Sequence, residues 1–168
     1  MKNILKILPG IFIIIASCTQ QPAGTFSKFF TDGTLRIDYF HTGDAESETV
    51  EIDRVYHYEG WSGSLINLID PLSYGTYCCK VYDQASGTLI YSKGFDSYFK
   101  EYQLTIPAIE GHVKQFHESA IVPLPVSAII FALEKRDNSG QSAEIFRTGI
   151  EPGTAPEGPV DPDVKTFI

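Results

Sequence analysis

The chain has 168 residues, which suits a single domain, and 43% of them are hydrophobic, enough for one core without disulfide staples. Its formal net charge is −8. That charge argues against nucleic acid as a partner, because phosphate binding needs a basic surface. It is typical of a protein that is kept soluble by its surface charge.

Residues 1–17 have the pattern of an export signal, with two lysines followed by an apolar run over 7–16. The run is shorter than the roughly 20 residues that span a bilayer. Small residues directly before Cys18 are typical of a bacterial lipobox, in which the thiol is lipidated and becomes the first residue. We therefore expect a cleavable lipoprotein signal peptide and a membrane anchor on Cys18, followed by a polar tether over 18–24. The alternative is a plain secretory signal with an incidental cysteine.

Alternating residues predict an all-β domain over 25–151. Leu35, Ile37 and Tyr39 share one face of the segment 34–43, which is the pattern of a strand with one buried side. Similar segments follow between turn residues, at 49–57, 75–83, 88–95, 99–106, 113–121, 126–133 and 143–149. About eight short strands, without a long amphipathic helix, predict an antiparallel β-sandwich.

Local patterns add detail to this prediction. A change of phase near Asp53 and Arg54 predicts a β-bulge. The connection 84–87 ends in glycine and predicts a hairpin with a left-handed glycine in its turn. Residues 126–133 are apolar on both faces and predict a central, covered strand. The irregular stretch 59–74 is expected to be a long connection that carries the only tryptophan.

Residues 152–168 have the composition of a linker, with prolines and glycines throughout. We expect this tail to be extended and unpacked. It ends in a stub over 164–168 in which Val164, Phe167 and Ile168 are apolar, and linkers usually lead to a further segment.

Three histidines are candidates for a metal ligand or an acid–base group. His112 and His117 would face opposite sides of a strand, and no H-E-x-x-H motif occurs, so surface positions are favoured over a metal site. His41 could titrate near neutral pH beside Asp44, although a simple hydrogen bond at the strand end is the favoured interpretation. No cofactor is predicted.

Two parts of the sequence resemble the catalytic motifs of hydrolases. The stretch Gly60–Ser64 approaches the G-x-S-x-G nucleophile elbow around Ser62, but its fifth residue differs and the strand-to-helix setting is missing, which leaves a weak esterase hypothesis. Glu46, Glu48 and Glu51 could pair for glycoside hydrolysis, although loop acids are more often solvated. We predict no catalytic residue.

Aromatic and sulfur-containing side chains leave two further questions. Trp61, with Tyr58 and Tyr74, could form a platform that binds a sugar ring, although packing in the core is favoured. Cys78 and Cys79 are adjacent and point to opposite faces of a strand, so we expect one buried cysteine and one near the surface rather than a bond between them. The alternative is a reactive thiol.

An ordered series of segments resembles the N-terminal domain of the IgA-peptidase family of zinc metallopeptidases. The resemblance covers about residues 25–152, and its segments are 29–43, 61–64, 67–70, 80–83, 89–95 and 134–137.

The resemblance implies a β-sandwich that precedes a catalytic domain, in exported or lipid-anchored proteins of Gram-negative anaerobes. It places the zinc ligands on an H-E-x-x-H helix of that following domain, so it gives this chain no catalytic residue and no zinc of its own. We therefore expect a non-catalytic accessory domain, anchored to the outer membrane or cell surface, that positions the peptidase or contacts its substrate. The alternative is a stand-alone surface lipoprotein that binds a glycan or a host glycoprotein.

Overall fold

A computed structural model describes residues 25–137 and 139–159 and confirms an all-β sandwich. The signal peptide, Cys18 and the tether over 18–24, together with residues 160–168, lie outside the described residues. None of the helices in the described ranges is long and apolar enough to cross a membrane.

Seven antiparallel strands form two sheets within the described residues, one fewer than the sequence predicts. The first sheet has the order β2-β1-β5 and the second has the order β4-β3-β6-β7. The strands are β1 Phe30–Gly43, β2 Glu48–Glu59, β3 Tyr77–Asp83, β4 Leu89–Phe95, β5 Lys114–Pro125, β6 Ile129–Arg136 and β7 Ser142–Ile150. The helices are α1 Thr25–Phe29, α2 Tyr98–Gln103 and α3 Ile106–Ile109, and a 3₁₀ turn spans Pro152–Thr154.

Strand β1 carries the predicted buried face. Leu35, Ile37 and Tyr39 are all buried between the sheets, where they join Val81 and Phe131 in one apolar core. Burial of such side chains contributes about 1.5–3 kcal/mol each for the aliphatic and aromatic types. This face of β1 therefore provides a large share of the contact between the two sheets.

The predicted bulge is confirmed. Asp38 pairs with Arg54 and Tyr39 pairs with Ile52, so Asp53 is the extra residue of β2. The extra residue shifts the alternation of β2 by one position, which explains the change of phase in its sequence.

The predicted hairpin and the predicted central strand are also confirmed. Gly87 adopts φ +67° in the turn between β3 and β4, where its amide donates to the carbonyl oxygen of Asp83 at 2.8 Å. Strand β6 lies between β3 and β7 in the second sheet. It begins at Ile129 rather than at residue 126, because Val126 is exposed beyond the sheet.

The predicted strand over 99–106 is wrong, because these residues form α2 and the start of α3. The Ser97 hydroxyl accepts a hydrogen bond from the Lys100 amide at 3.3 Å and caps α2. Phe99 and Gln103 are four residues apart and both are buried, which is the spacing of one helix face. The cap formed by Ser97 and the buried face of Phe99 and Gln103 therefore favour a helix here, although the sequence pattern predicts a strand.

The tail was expected to be unpacked, and for residues 152–158 this is wrong. Pro152 is buried, and the His57 amide donates to the carbonyl oxygen of Pro156 at 3.0 Å. The Gly158 amide donates in turn to the carbonyl oxygen of His57 at 2.9 Å. A Cβ on Gly158 would lie 2.0 Å from the Tyr58 ring, so the missing side chain is what permits this close approach. Residues 152–158 therefore pack against the sandwich.

The strand registers define two ends of the sandwich. Gly33 pairs with Glu59, so α1 and the packed tail beside His57 lie at the same end, which we call the exit end. The opposite end holds the turn between β1 and β2 together with α2 and α3. The Ala45 amide donates to the carbonyl oxygen of Ala108 at 3.2 Å, which ties α3 to that turn. We call α2 and α3 the helical cap and this end the cap end.

Candidate functional site

The three aromatic candidates do not form one platform. The Trp61 ring is half-buried, packs against the core edge-on to Tyr91, and donates from Nε1 to the carbonyl oxygen of Ser64 at 3.2 Å. Tyr58 is half-buried beside Gly158 at the exit end. Tyr74 is 71% exposed and lies beside Gly94, at the end of β4 that belongs to the cap end. A shared sugar platform is therefore absent from this arrangement, and the contact of each ring with a ligand stays a prediction.

The catalytic patterns are not assembled either. Ser62 lies in an exposed loop instead of a strand-to-helix turn. His112 and His117 are exposed, and His117 Nε2 lies 3.1 Å from Asp53 Oδ2 in a surface pair. Within residues 25–137 and 139–159, no group of three or more His, Cys, Asp and Glu side chains could hold a metal ion.

Both neighbouring cysteines are buried, so the expectation that one lies near the surface is wrong. Strand β3 has a neighbour on each side, and Cys78 and Cys79 both sit in its buried part. Burial raises the pKa of the Cys79 thiol to about 12, which keeps it protonated and unreactive at neutral pH.

The main polar feature of the described residues is a largely buried group of polar and charged side chains at the cap end. It comprises His41 of β1, Glu48 of β2, Glu118 of β5, Lys135 of β6 and Tyr77 of β3, which we call the His41 cluster. His41 is 1% exposed. Its Nε2 lies 2.9 Å from Glu48 Oε2 and its Nδ1 lies 3.4 Å from Glu118 Oε2. The ring therefore joins β2 and β5, the two neighbours of β1 in the first sheet.

Glu48 is the acceptor for three donors. Besides His41, the Tyr77 hydroxyl donates to Oε2 at 3.0 Å, and the Lys135 ammonium donates to Oε1. Burial alone would raise the pKa of Glu48, but the hydrogen bonds from His41 and Lys135 outweigh it and hold the pKa at about 2. Glu48 is therefore ionised throughout the neutral range, and the expectation of a solvated loop acid is wrong for this residue.

The geometry around His41 favours a doubly protonated ring. A carboxylate can only accept hydrogen bonds, and a carboxylate oxygen faces each ring nitrogen. Burial lowers the pKa of His41, but its hydrogen bonds with Glu118 and Glu48 more than compensate and raise it above the ordinary value. For Glu118, burial acts to raise the pKa and the bond from His41 lowers it, with a net lowering. Each of the three pKa values is thus shifted in the direction that favours the charged form.

Glu118 depends on His41 more strongly than Glu48 does. Its Oε1 is buried without a well-formed hydrogen bond to any described residue, although the Ser97 and Tyr39 side chains lie close enough to lower its pKa. A buried carboxylate that loses its counter-charge is costly. The proton on His41 therefore stabilises Glu118 in particular.

The helical cap covers the His41 ring. The Phe99 ring stacks on His41 with 3.9 Å between ring centroids and 23° between ring planes. Gln103 accepts from Lys135 Nζ at 3.2 Å and donates from Nε2 to the carbonyl oxygen of Asp44 at 2.9 Å. One face of α2 is thus held by the same groups that surround His41.

Sequence reasoning placed His41 beside Asp44, and the structure pairs it with Glu48 and Glu118 instead. Asp44 accepts from the Glu46 and Ser47 amides at 2.9 and 2.8 Å within its own turn. The alternation of Leu35, Ile37 and Tyr39 continues to position 41, and that pattern could have placed the histidine on the buried face. Its partners come from distant strands, so the pattern could not name them.

A second feature of the cap end is a loop that presents apolar side chains to solvent. Leu72 is 60% exposed, and Tyr74 follows it. Asp70 accepts from the amides of Leu72 at 3.0 Å, Ser73 at 2.9 Å and Gly94 at 3.0 Å.

Ser73, between these two side chains, has φ +45°, a conformation that is strained for a residue with a side chain. The Arg136 guanidinium donates to its carbonyl oxygen. The loop is therefore fixed by hydrogen bonds while its apolar side chains remain uncovered.

Comparison with known families matches residues 25–147 to one family, the Peptidase M64 N-terminus. No curated protein matches the chain. The matched residues run from α1 into β7 and so include nearly all of the sandwich. The chain therefore belongs to the Peptidase M64 N-terminus family, the N-terminal domain of IgA-peptidase-family proteins.

Proposed function

We propose that this chain is a non-catalytic, lipid-anchored accessory domain that positions a peptidase domain or contacts its substrate. The observation that carries the proposal is the family match, because it falls on the N-terminal domain of the peptidase family and extends over residues 25–147. The export signal and lipobox of the sequence support anchoring through Cys18.

The exit end supports a role in positioning. Residue Thr25 and the packed tail up to Gly158 lie at the same end of the sandwich. The tail is hydrogen-bonded to β2 on both sides of Glu157, which fixes the direction in which the chain leaves the domain. A segment that follows this tail would start from a defined place, close to the side from which the tether arrives.

The cap end supports a role in contacting a substrate. Leu72 and Tyr74 are exposed on a loop that is held in place, at the end opposite both termini of the described chain. An aromatic ring with a hydroxyl suits contact with a glycoprotein, because it offers apolar area and a hydrogen bond together. The same observation favours the second candidate, a stand-alone surface lipoprotein that binds a glycan or a host glycoprotein.

The test uses the purified chain with zinc present and immunoglobulin A as the immobilised glycoprotein. We expect binding without cleavage, and we expect Leu72→Ser to weaken the binding. Leu65→Ser is the matched control, since Leu65 is 56% exposed on the same connection but outside the held loop. Cleavage that a chelator abolishes would contradict the non-catalytic role. Equal binding by the two serine variants, or no binding at all, would remove the substrate-contact role and leave positioning alone.

Anchoring has its own test. Mass spectrometry of the chain from a bacterial membrane fraction should find a diacylglycerol adduct on an N-terminal Cys18. An unmodified Cys18, with the chain recovered in the soluble fraction, would contradict the anchor and leave the other parts of the proposal untouched.

A further inference from the structure

We propose that His41 is a pH-sensitive latch, which holds the helical cap on the sandwich while its ring is doubly protonated and releases the cap when the ring loses a proton. This inference is independent of the proposed function. It rests on the placement of one buried imidazole between two carboxylates, directly beneath the helices.

The charges of the cluster balance only when His41 is protonated. The imidazolium and the Lys135 ammonium face the carboxylates of Glu48 and Glu118. Loss of the ring proton removes one positive charge and leaves a nitrogen lone pair directed at a carboxylate oxygen. Both effects are strong inside a protein, where the dielectric constant is low.

The groups that face His41 from the surrounding elements do not compensate for this loss. Tyr39 of β1 and Tyr77 of β3 have raised pKa values because they are buried, so both stay neutral. The Cys79 thiol of β3, which interacts with Tyr39 rather than with His41, also stays neutral, since burial raises its pKa to about 12. From the cap itself, the described contacts to the cluster come from Phe99, Gln103 and Ser97, which do not titrate.

The helical cap contacts the His41 cluster directly, so it is the element that loss of the ring proton affects most. Phe99 stacks on the ring, and Gln103 is bonded to Lys135, which itself binds Glu48. The two helices have only six and four residues, too few to be stable without such contacts. Repulsion within the cluster is therefore expected to open the cap before it unfolds the apolar middle of the sandwich.

The direction of the effect follows from the pKa of His41, which is raised in the folded state. The stabilisation is fully present below the ordinary value of about 6.5 and is lost as the pH rises through the folded-state pKa. The latch is thus closed below about pH 6.5 and opens as the pH rises through the raised folded-state pKa of His41. Glu48 and Glu118 remain ionised across this range, because their pKa values are lowered.

Hydrogen exchange of the backbone amides between pH 6 and pH 9, corrected for intrinsic exchange, tests the latch in the whole chain. We expect a severalfold loss of protection at the Leu104, Ile109 and Glu110 amides, which are hydrogen-bonded within the cap. Protection in β3 and β6 should not change over the same range. Constant protection in the cap, or an equal loss in all strands, would overturn the proposal.

Two variants separate a latch from a merely structural histidine. Glu118→Gln removes one negative neighbour, so the midpoint of cap release should move to lower pH. His117→Gln is the control, because His117 is an exposed histidine on the same strand as Glu118, and it should leave the midpoint unchanged. An unchanged midpoint in Glu118→Gln, or an equal shift in both variants, would overturn the assignment to His41. If Glu118→Gln does not fold, the exchange profile of the unaltered chain still decides the question.

Discussion

The middle of the sandwich and its cap end are built by the same strands with opposite chemistry. On the inner face of β1, Leu35 and Ile37 meet apolar side chains, whereas His41 meets two carboxylates. The apolar contacts depend on area and shape, and they vary little with pH. The charged contacts depend on complete pairing, because an unpaired buried charge costs more than the pair contributes. One end of the domain is therefore sensitive to pH while the middle is not.

The largest expected effect is at the cap end, for Glu48→Ala. The variant leaves Lys135 and His41 without their shared acceptor and should lower the free energy of unfolding by about 3–5 kcal/mol. Urea denaturation at pH 7 measures the loss. Glu46→Ala, in the exposed turn beside it, is the matched control and should unfold like the unaltered chain. Equal unfolding midpoints in the two variants would show that the cluster does not stabilise the fold.

The matching change in the apolar middle is Leu35→Ala. It removes buried methyl groups and leaves a cavity, which should cost about 2–5 kcal/mol. Urea denaturation at pH 6 and at pH 9 measures the loss. We expect the decrease in the free energy of unfolding to be the same at both pH values. A loss that changed between the two pH values would mean that the middle and the cap end are not energetically separate.

A smaller effect is expected at the exit end, for Gly158→Ala. The added Cβ would lie 2.0 Å from the Tyr58 ring and force the tail or the ring to move, at a cost of about 1–3 kcal/mol. Gly153→Ala is the control, because nothing lies within 4 Å of a Cβ at that position. Hydrogen exchange at the His57 amide should report the loosened tail. Unchanged exchange there would show that the tail does not depend on this close approach.

Features set by neighbouring residues could be predicted from the sequence. The buried face of β1, the bulge at Asp53 and the left-handed Gly87 each follow from a few consecutive side chains. The strand predicted over 99–106 is wrong for an equally local reason, because Ser97 caps a helix there and Phe99 and Gln103 lie on its buried face.

The His41 cluster could not be predicted, because it is assembled from five strands. Its members come from positions 41, 48, 77, 118 and 135, and their meeting depends on strand order and on how the sheets pack. The packing of the tail could not be predicted for a similar reason. Its prolines suggested a linker, but its packing depends on Gly158 meeting Tyr58 across the fold.

The protonation state of His41 is the most direct test of the charged cap end. NMR of the ¹⁵N-labelled imidazole rings should be recorded around pH 6.5, where a free histidine is about half protonated. We predict that both ring nitrogens of His41 carry a proton there and that the ring titrates at higher pH than a histidine in the unfolded chain. A neutral His41 ring with one unprotonated nitrogen at that pH would contradict the account.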